Sequence, residues 1–360
     1  MWNILLETIS LISSFQVTPA KITHALEARG ESERHNAEYV APEAVRIASV
    51  QLTVHPYKSL REFTDEMYDL AKQAVDAGAQ LIVFPAYTGL LAGGVLPACN
   101  WMLNWVRDKH SESGRGELLN PVRTEALEET FHNVIYELYM YTFSTIARLL
   151  HVYVVGGSSY FLEEERFTHR CVMFDANGDP VGAQEKINVL GLDRELGVTP
   201  SELVEVVETP MGKVAMVLAS DAYYFECFQI AKARGAKIIA CPSGQEPVQY
   251  DLLRCRANEH GVYVAYACIT AEGAPKQVRA SILAPFEITS EGDGLIVACE
   301  QPTAAVVSAR TSLAKLPTER LQSVPNRKFL QGDYLRSYRY CGKLPMIEQQ
   351  EQPESEPAAE

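Results

Sequence analysis

Apolar and polar positions alternate in short runs along most of the chain, and the period of alternation changes repeatedly from two to near four. RIASVQL (46–52) alternates with period two and is bounded by Pro56, so it predicts a strand. Residues 59–77 switch to helical spacing, with Ser59 placed to cap the start and Gly78 the end. AQLIVFP (79–85) is a continuous apolar run closed by Pro85, the pattern of a strand covered on both faces. Residues 17–43 are polar and read as a connector with one helical turn, and 88–118, with Gly89, Gly93, Gly94 and Pro97, as a long loop. A helix over 121–150 leads into HVYVVGGSSYF (151–161). CVMFDANGDPVGAQEK (171–186) and LVEVVETPMGKVAMVLAS (203–220) are hairpins, turning at Asn177-Gly178-Asp179 and Pro210-Met211-Gly212. A helix over 223–234, the strand AKIIACP (236–242) and a helix over 249–260 follow, and VYVAYACI, RASILAP and GLIVACE close the core as strands.

Interleaved strands and helices with embedded hairpins imply a mixed sheet covered by helices. Residues 1–45 form an extension whose apolar start suits an amphipathic helix, 46–310 one folded domain, 311–343 a C-terminal extension and 344–360 an acidic, disordered tail. The start lacks a basic region and contains Glu7, which argues against a signal peptide, and no stretch has membrane-spanning length. A net charge of −14 argues against a general nucleic-acid binder, although RKFLQGDYLRSYRYCGK interleaves bases with aromatics. Eight scattered cysteines form no CxxC pair, so they read as reduced core thiols in a cytoplasmic protein, with no metal site.

Three segments carry a family likeness: LIVFPAYTGLL, QEKINVLGLDRELGVTP and VLASDAYYFECFQIAKARGAKIIACPSG. With the hairpin TPMGKVAMVLASD and the stretch RANEHGVYVAYA, they resemble the signature regions of the nitrilase superfamily, the carbon–nitrogen hydrolases, in order over about 46–310. The resemblance implies a four-layer α-β-β-α sandwich of two mixed sheets, no cofactor, and a homodimer or larger assembly. It also implies a glutamate base, a lysine that stabilises the oxyanion and a cysteine nucleophile at neighbouring strand ends. A thiol attacks only when deprotonated, and the tetrahedral intermediate needs a cation nearby.

Carried over residue by residue, the resemblance assigns the base to Ala86, the lysine to Lys186 and the nucleophile to Ala219. The neighbours differ too, with Ser220 after the nucleophile position and Asn188 two after the lysine, which favours natural divergence over a knock-out. Asp221 and Glu226 complete the family's pattern and read as scaffold, bonding backbone around the turn. Lys186 either still grips an anionic or carbonyl ligand or pairs with Asp193 or Glu195, the region where relatives place a supporting glutamate. Tyr87 is a pocket-lining candidate. Ser220, a strand-end neighbour of Ala219, points elsewhere, and Cys241 reads as a core thiol. The expectation is therefore a protein inactive in cysteine-dependent hydrolysis, with a binding, regulatory or assembly role beside a small molecule or an active paralogue. The alternative is hydrolysis of small linear amides or carbamoyl compounds through a non-standard site.

Overall fold

The computed structural model describes residues 17–317, except 37–40, 42, 56, 96–120, 164–165 and 245–246. The expected N-terminal helix before residue 17 and the C-terminal segments after 317 lie outside the described residues.

The first half of the chain builds one sheet and its helices. In chain order these are α1 (Pro19–Glu27), β1 (Val45–Thr53), α2 (Leu60–Asp76), β2 (Leu81–Val83), α3 (Thr88–Ala92), α4 (Pro121–Leu150), β3 (Tyr153–Val155), β4 (Ser159–Glu163), β5 (Arg166–Phe174) and β6 (Pro180–Glu185). The second half contributes α5 (Leu192–Glu195), β7 (Val206–Thr209), β8 (Gly212–Met216), α6 (Phe225–Ala233), β9 (Ile238–Pro242), α7 (Pro247–His260), β10 (Tyr263–Thr270), β11 (Ser281–Leu283), β12 (Leu295–Ala298) and β13 (Ala305–Thr311).

Hydrogen-bonded neighbours run in the order β4-β5-β3-β2-β1-β10-β9-β8-β7. Pairs β1–β2, β2–β3, β8–β9 and β9–β10 are parallel, whereas β3–β5, β7–β8 and β1–β13 are antiparallel. Among the described residues, the strand pairing that joins the two halves of this mixed sheet is that of Gln51–Thr53 of β1 with Cys268–Thr270 of β10. Beyond that seam the sheet folds back on itself, so Ile47 and Val83 from one half and Met216, Ile238 and Ala240 from the other share one apolar cluster. Period-two alternation sends the remaining residues outward. Ala48, Val50 and Ile82 meet Phe63 and Met67 of α2 and Phe143 of α4. Ile239 and Val264 meet Phe228 of α6 and Leu253 and Ala257 of α7. Three apolar interfaces between four layers make the expected α-β-β-α sandwich.

Ser59 caps α2 as the sequence implies, its Oγ accepting the Glu62 N–H at 3.1 Å, and Gly78 follows at φ 89°. Three segments differ from the pattern-based reading. Residues 19–27 form a full helix where a connector was expected: Thr18 caps it, Pro19 occupies its first turn, and Ile22 and Leu26 bury one face. Residues 88–95 are helical, not loop, because the chain turns tightly after Pro85, and the Thr88 hydroxyl donates to the Pro85 carbonyl. AVVSART (305–311), read as lying beyond the last strand, pairs along Val45–Gln51 as β13. Its half-buried pattern lacks the clear alternation that would have marked it.

Candidate functional site

The strand ends expected to carry the chemistry converge at one end of the sandwich. Ala86 follows Pro85 beyond β2, is fully buried, and donates its N–H to the Ser243 carbonyl past β9 at 3.2 Å. Tyr87 takes a left-handed backbone, φ 62°, that sends the chain into α3. Ala219 opens a 3-10 turn after β8 and is also left-handed, φ 47°. An alanine there costs about 1 kcal/mol or more in backbone strain. Strain of this kind is held where the surroundings over-determine it, here by Gln249, whose Nε2 donates to the Ala219 carbonyl at 3.0 Å. Ala86 and Ala219 belong to the same apolar cluster between the two sheet halves.

Asp221 ties the turn to the segment after β6. Its carboxylate accepts the Ile187 N–H at 3.1 Å, the Asn188 N–H at 2.6 Å and the Asn188 side chain at 3.0 Å. Ser220 turns away and donates to the Asn188 carbonyl at 2.9 Å. Glu226 is half-buried in the first turn of α6. Burial pushes the Asp221 carboxyl up to about 6, against the lowering effect of the Asn188 and Ile187 N–H groups and the Lys186 charge. A carboxyl whose folded value lies above its unfolded 3.8 stabilises the fold most below that value, and the contribution fades as pH rises through 6. Asp221→Asn removes the titration. The stability of the wild type relative to this variant should therefore fall by about 2 kcal/mol between pH 4 and 7. Denaturant titrations of both proteins at the two pH values check this.

Lys186 is 2% exposed and forms an ion pair with Asp193 Oδ2. Of the two acidic residues considered, Asp193 is the one buried beside it, at 1%, while Glu195 is exposed on α5. Asp193 Oδ1 accepts the Tyr160 hydroxyl at 2.8 Å and lies 3.1 Å from His169 Nδ1, somewhat off the line of an ideal hydrogen bond. Burial alone would raise the Asp193 carboxyl, but the bond and charge of His169 and the Lys186 ammonium hold it well below the usual carboxylate range. Burial lowers the His169 pKa despite the raising effect of Asp193, leaving the imidazole neutral near pH 7. The chain continues outward: His169 Nε2 is 2.7 Å from Ser158 Oγ, which accepts the Tyr87 N–H at 2.8 Å. The Tyr87 and Tyr160 rings lie 4.8 and 4.7 Å from the His169 ring and fix its plane. Tyr87, Lys186 and Asp193 are thus brought together.

Sequence reading missed Ser158, Tyr160, His169 and Gln249. His169 lies in RFTHR (166–170), a stretch to which the hydrophobic pattern assigns no element, and a lone histidine carries no local motif. Cys241 faces the opposite side of its strand, toward α6 and α7, and burial pushes its thiol up to about 12. Cys171, Cys227, Cys268 and Cys299 are buried as well, their thiols likewise raised by burial, and Cys255 is exposed. Among the described residues no cluster of His, Cys, Asp and Glu could hold a metal, and no helix is long and apolar enough to cross a membrane.

A family profile for carbon–nitrogen hydrolases matches residues 46–284, and the chain belongs to that family. Within it, the chain is 24% identical over 300 residues to omega-amidase NIT2 of Xenopus tropicalis, covering 79% of this chain and 94% of the relative. It is 25% identical to a chloroplastic omega-amidase of Arabidopsis thaliana over 47% of this chain, and there spans about half of the relative, 51%. Among solved structures, a mutant of the Nesterenkonia AN1 amidase from the nitrilase superfamily superposes with TM-score 0.55 at 19% identity, over 82% of this chain and 99% of that one. The C. elegans NitFhit protein matches with TM-score 0.57 at 16% identity, over 79% and 65%.

Proposed function

We propose that this chain keeps the carbon–nitrogen hydrolase scaffold without the family's cysteine-dependent hydrolysis, and serves a binding, regulatory or assembly role. One observation carries this reading. Methyl groups stand at Ala86 and Ala219, where the family resemblance places base and nucleophile, and Lys186 is neutralised by Asp193 instead of facing an open anion site. Without a thiolate no thioester forms, and a cation already paired in the interior has little left for an oxyanion. The domain over 46–310 is the working unit of this proposal. Its assembly is a homodimer or larger, or a mixed oligomer with a paralogue that holds the full triad. Purified protein should show no thiol-dependent turnover of small amides, nitriles or carbamoyl compounds. Turnover abolished by a thiol-alkylating reagent would overturn the reading.

A second reading, hydrolysis of small linear amides or carbamoyl compounds through other groups, is favoured by the likeness to the Xenopus omega-amidase over most of its length. Both readings share the loss of thiol chemistry and part on whether another nucleophile acts.

A further inference from the structure

We propose that Ser158, His169 and Asp193 form a serine-dependent acyl-transfer centre for small acyl compounds, displaced from the Ala86–Ala219 positions. The proposal rests on the second reading and supplies its missing nucleophile.

The order of polarity along the chain of contacts carries the argument. The Asp193 carboxylate lies 3.1 Å from His169 Nδ1, off the line of a good hydrogen bond, and its negative charge favours the ring proton on Nδ1. Nε2 is then left as the acceptor 2.7 Å from the Ser158 hydroxyl. A carboxylate that fixes the tautomer, a neutral imidazole and a hydroxyl in hydrogen-bond reach are the three roles that convert an alcohol into a nucleophile. The imidazole is held between the Tyr87 and Tyr160 rings.

Local sequence explains how the hydroxyl is presented. Gly156 and Gly157 turn the chain sharply after β3, and Gly157 has φ 76°. A β-carbon on Gly157 would lie 2.0 Å from the Pro85 carbonyl oxygen, so only glycine lets the Ser158 turn press against the Pro85–Thr88 turn. That contact puts the Tyr87 N–H on Ser158 Oγ at 2.8 Å, where it would stabilise a developing alkoxide. Gly157→Ala should accordingly lower stability by about 3 kcal/mol or more, combining overpacking with a left-handed backbone, as a melting curve would read. The centre also lies where the family scaffold converges its strand ends, one residue from Ala86 through Tyr87.

In the proposed step, Ser158 Oγ bonds to the acyl carbon while its proton passes to His169 Nε2. The tetrahedral intermediate collapses, the carbon–nitrogen bond breaks, and the same proton leaves with the amine. Water then attacks the acyl-serine, giving one proton to His169. The carbon–oxygen bond to Ser158 breaks, and that proton returns to Oγ. Atoms and charges balance without a further reactant. Asp193 acts as a positioning residue through His169, not on the substrate.

The test uses the full chain and methanesulfonyl fluoride, a probe small enough for a packed site, which sulfonylates an activated serine with loss of fluoride. The expected result is one adduct per chain, mapped to Ser158 by peptide mass, absent in Ser158→Ala and formed at least about 100-fold more slowly in His169→Gln. No adduct at Ser158, or an adduct whose rate ignores His169→Gln, overturns the centre. Circular dichroism of Ser158→Ala, which keeps nearly the same volume, separates chemistry from misfolding. Parallel turnover of small linear amides distinguishes the two levels of the argument. Turnover lost by about 10⁴-fold in Ser158→Ala supports both. Turnover that survives Ser158→Ala overturns the centre but keeps the second reading. Absence of both turnover and adduct overturns both and leaves the binding role.

Discussion

Lys186→Met is expected to lower the unfolding free energy by about 3–5 kcal/mol, the cost of leaving one member of a buried ion pair uncompensated. Lys186 and Asp193 are 2% and 1% exposed, so water cannot replace the missing ammonium. The Asp193 charge would remain with the Tyr160 hydroxyl and a neutral His169 as its partners. Two further measurements separate this cause from simple loss of packing. Adding Asp193→Asn removes the orphaned charge while keeping an acceptor for Tyr160, so the double variant should be more stable than Lys186→Met alone. Acid should act in the same direction. In the wild type, the low folded-state value of Asp193 gives stability that is present above its unfolded value and lost as pH falls toward the lower one. The variant loses that stabilisation, so its deficit should shrink as pH drops below about 4. Denaturant titrations of the four proteins form a complete double-mutant cycle; additive effects would show that the pair is not coupled.

The second large effect is a gain. Ala219→Cys combined with Ala86→Glu should create thiol-dependent amide turnover exceeding that of Ala219→Cys alone by about 10²-fold or more, the usual contribution of a positioned general base. The backbone favours this outcome, because Ala219 already holds the left-handed turn at φ 47° that a nucleophile at this strand end would use. Ala86 is fully buried, so the new glutamate also overpacks the site, and the double variant should be less stable by about 2 kcal/mol. Lys186 must leave Asp193 to serve an oxyanion, and the introduced carboxylate offers it a competing partner. Steady-state kinetics with a series of small linear amides, before and after alkylation, reads the gain; a fully folded double variant with no turnover would show that the pocket has closed in other ways.

Much of the fold was legible in local patterns. The period-two run at β1, the Ser59 cap and the Asn177-Gly178-Asp179 turn each follow from short-range chemistry. The scaffold role read for Asp221 also has a direct counterpart in its bonds to Ile187 and Asn188. What escaped was non-local. β13 is a strand because β1 offers an antiparallel edge 266 residues earlier, seen in the Val45–Thr311 pairing. The contact of His169 with Ser158 depends on two strands, a glycine turn and two tyrosine rings, none of which shares a motif. Between Asp193 and Glu195 the chain alone offered no choice, because a four-residue helix decides which carboxylate turns inward.

The central claim, that this family scaffold works without a thiol nucleophile, is tested most directly by amide turnover before and after alkylation of the accessible cysteines. In the wild type, any turnover should be unchanged by alkylation under conditions that keep the protein folded, while the turnover of the Ala86→Glu, Ala219→Cys variant should be abolished. Wild-type turnover that disappears with alkylation of a single native cysteine would contradict the account.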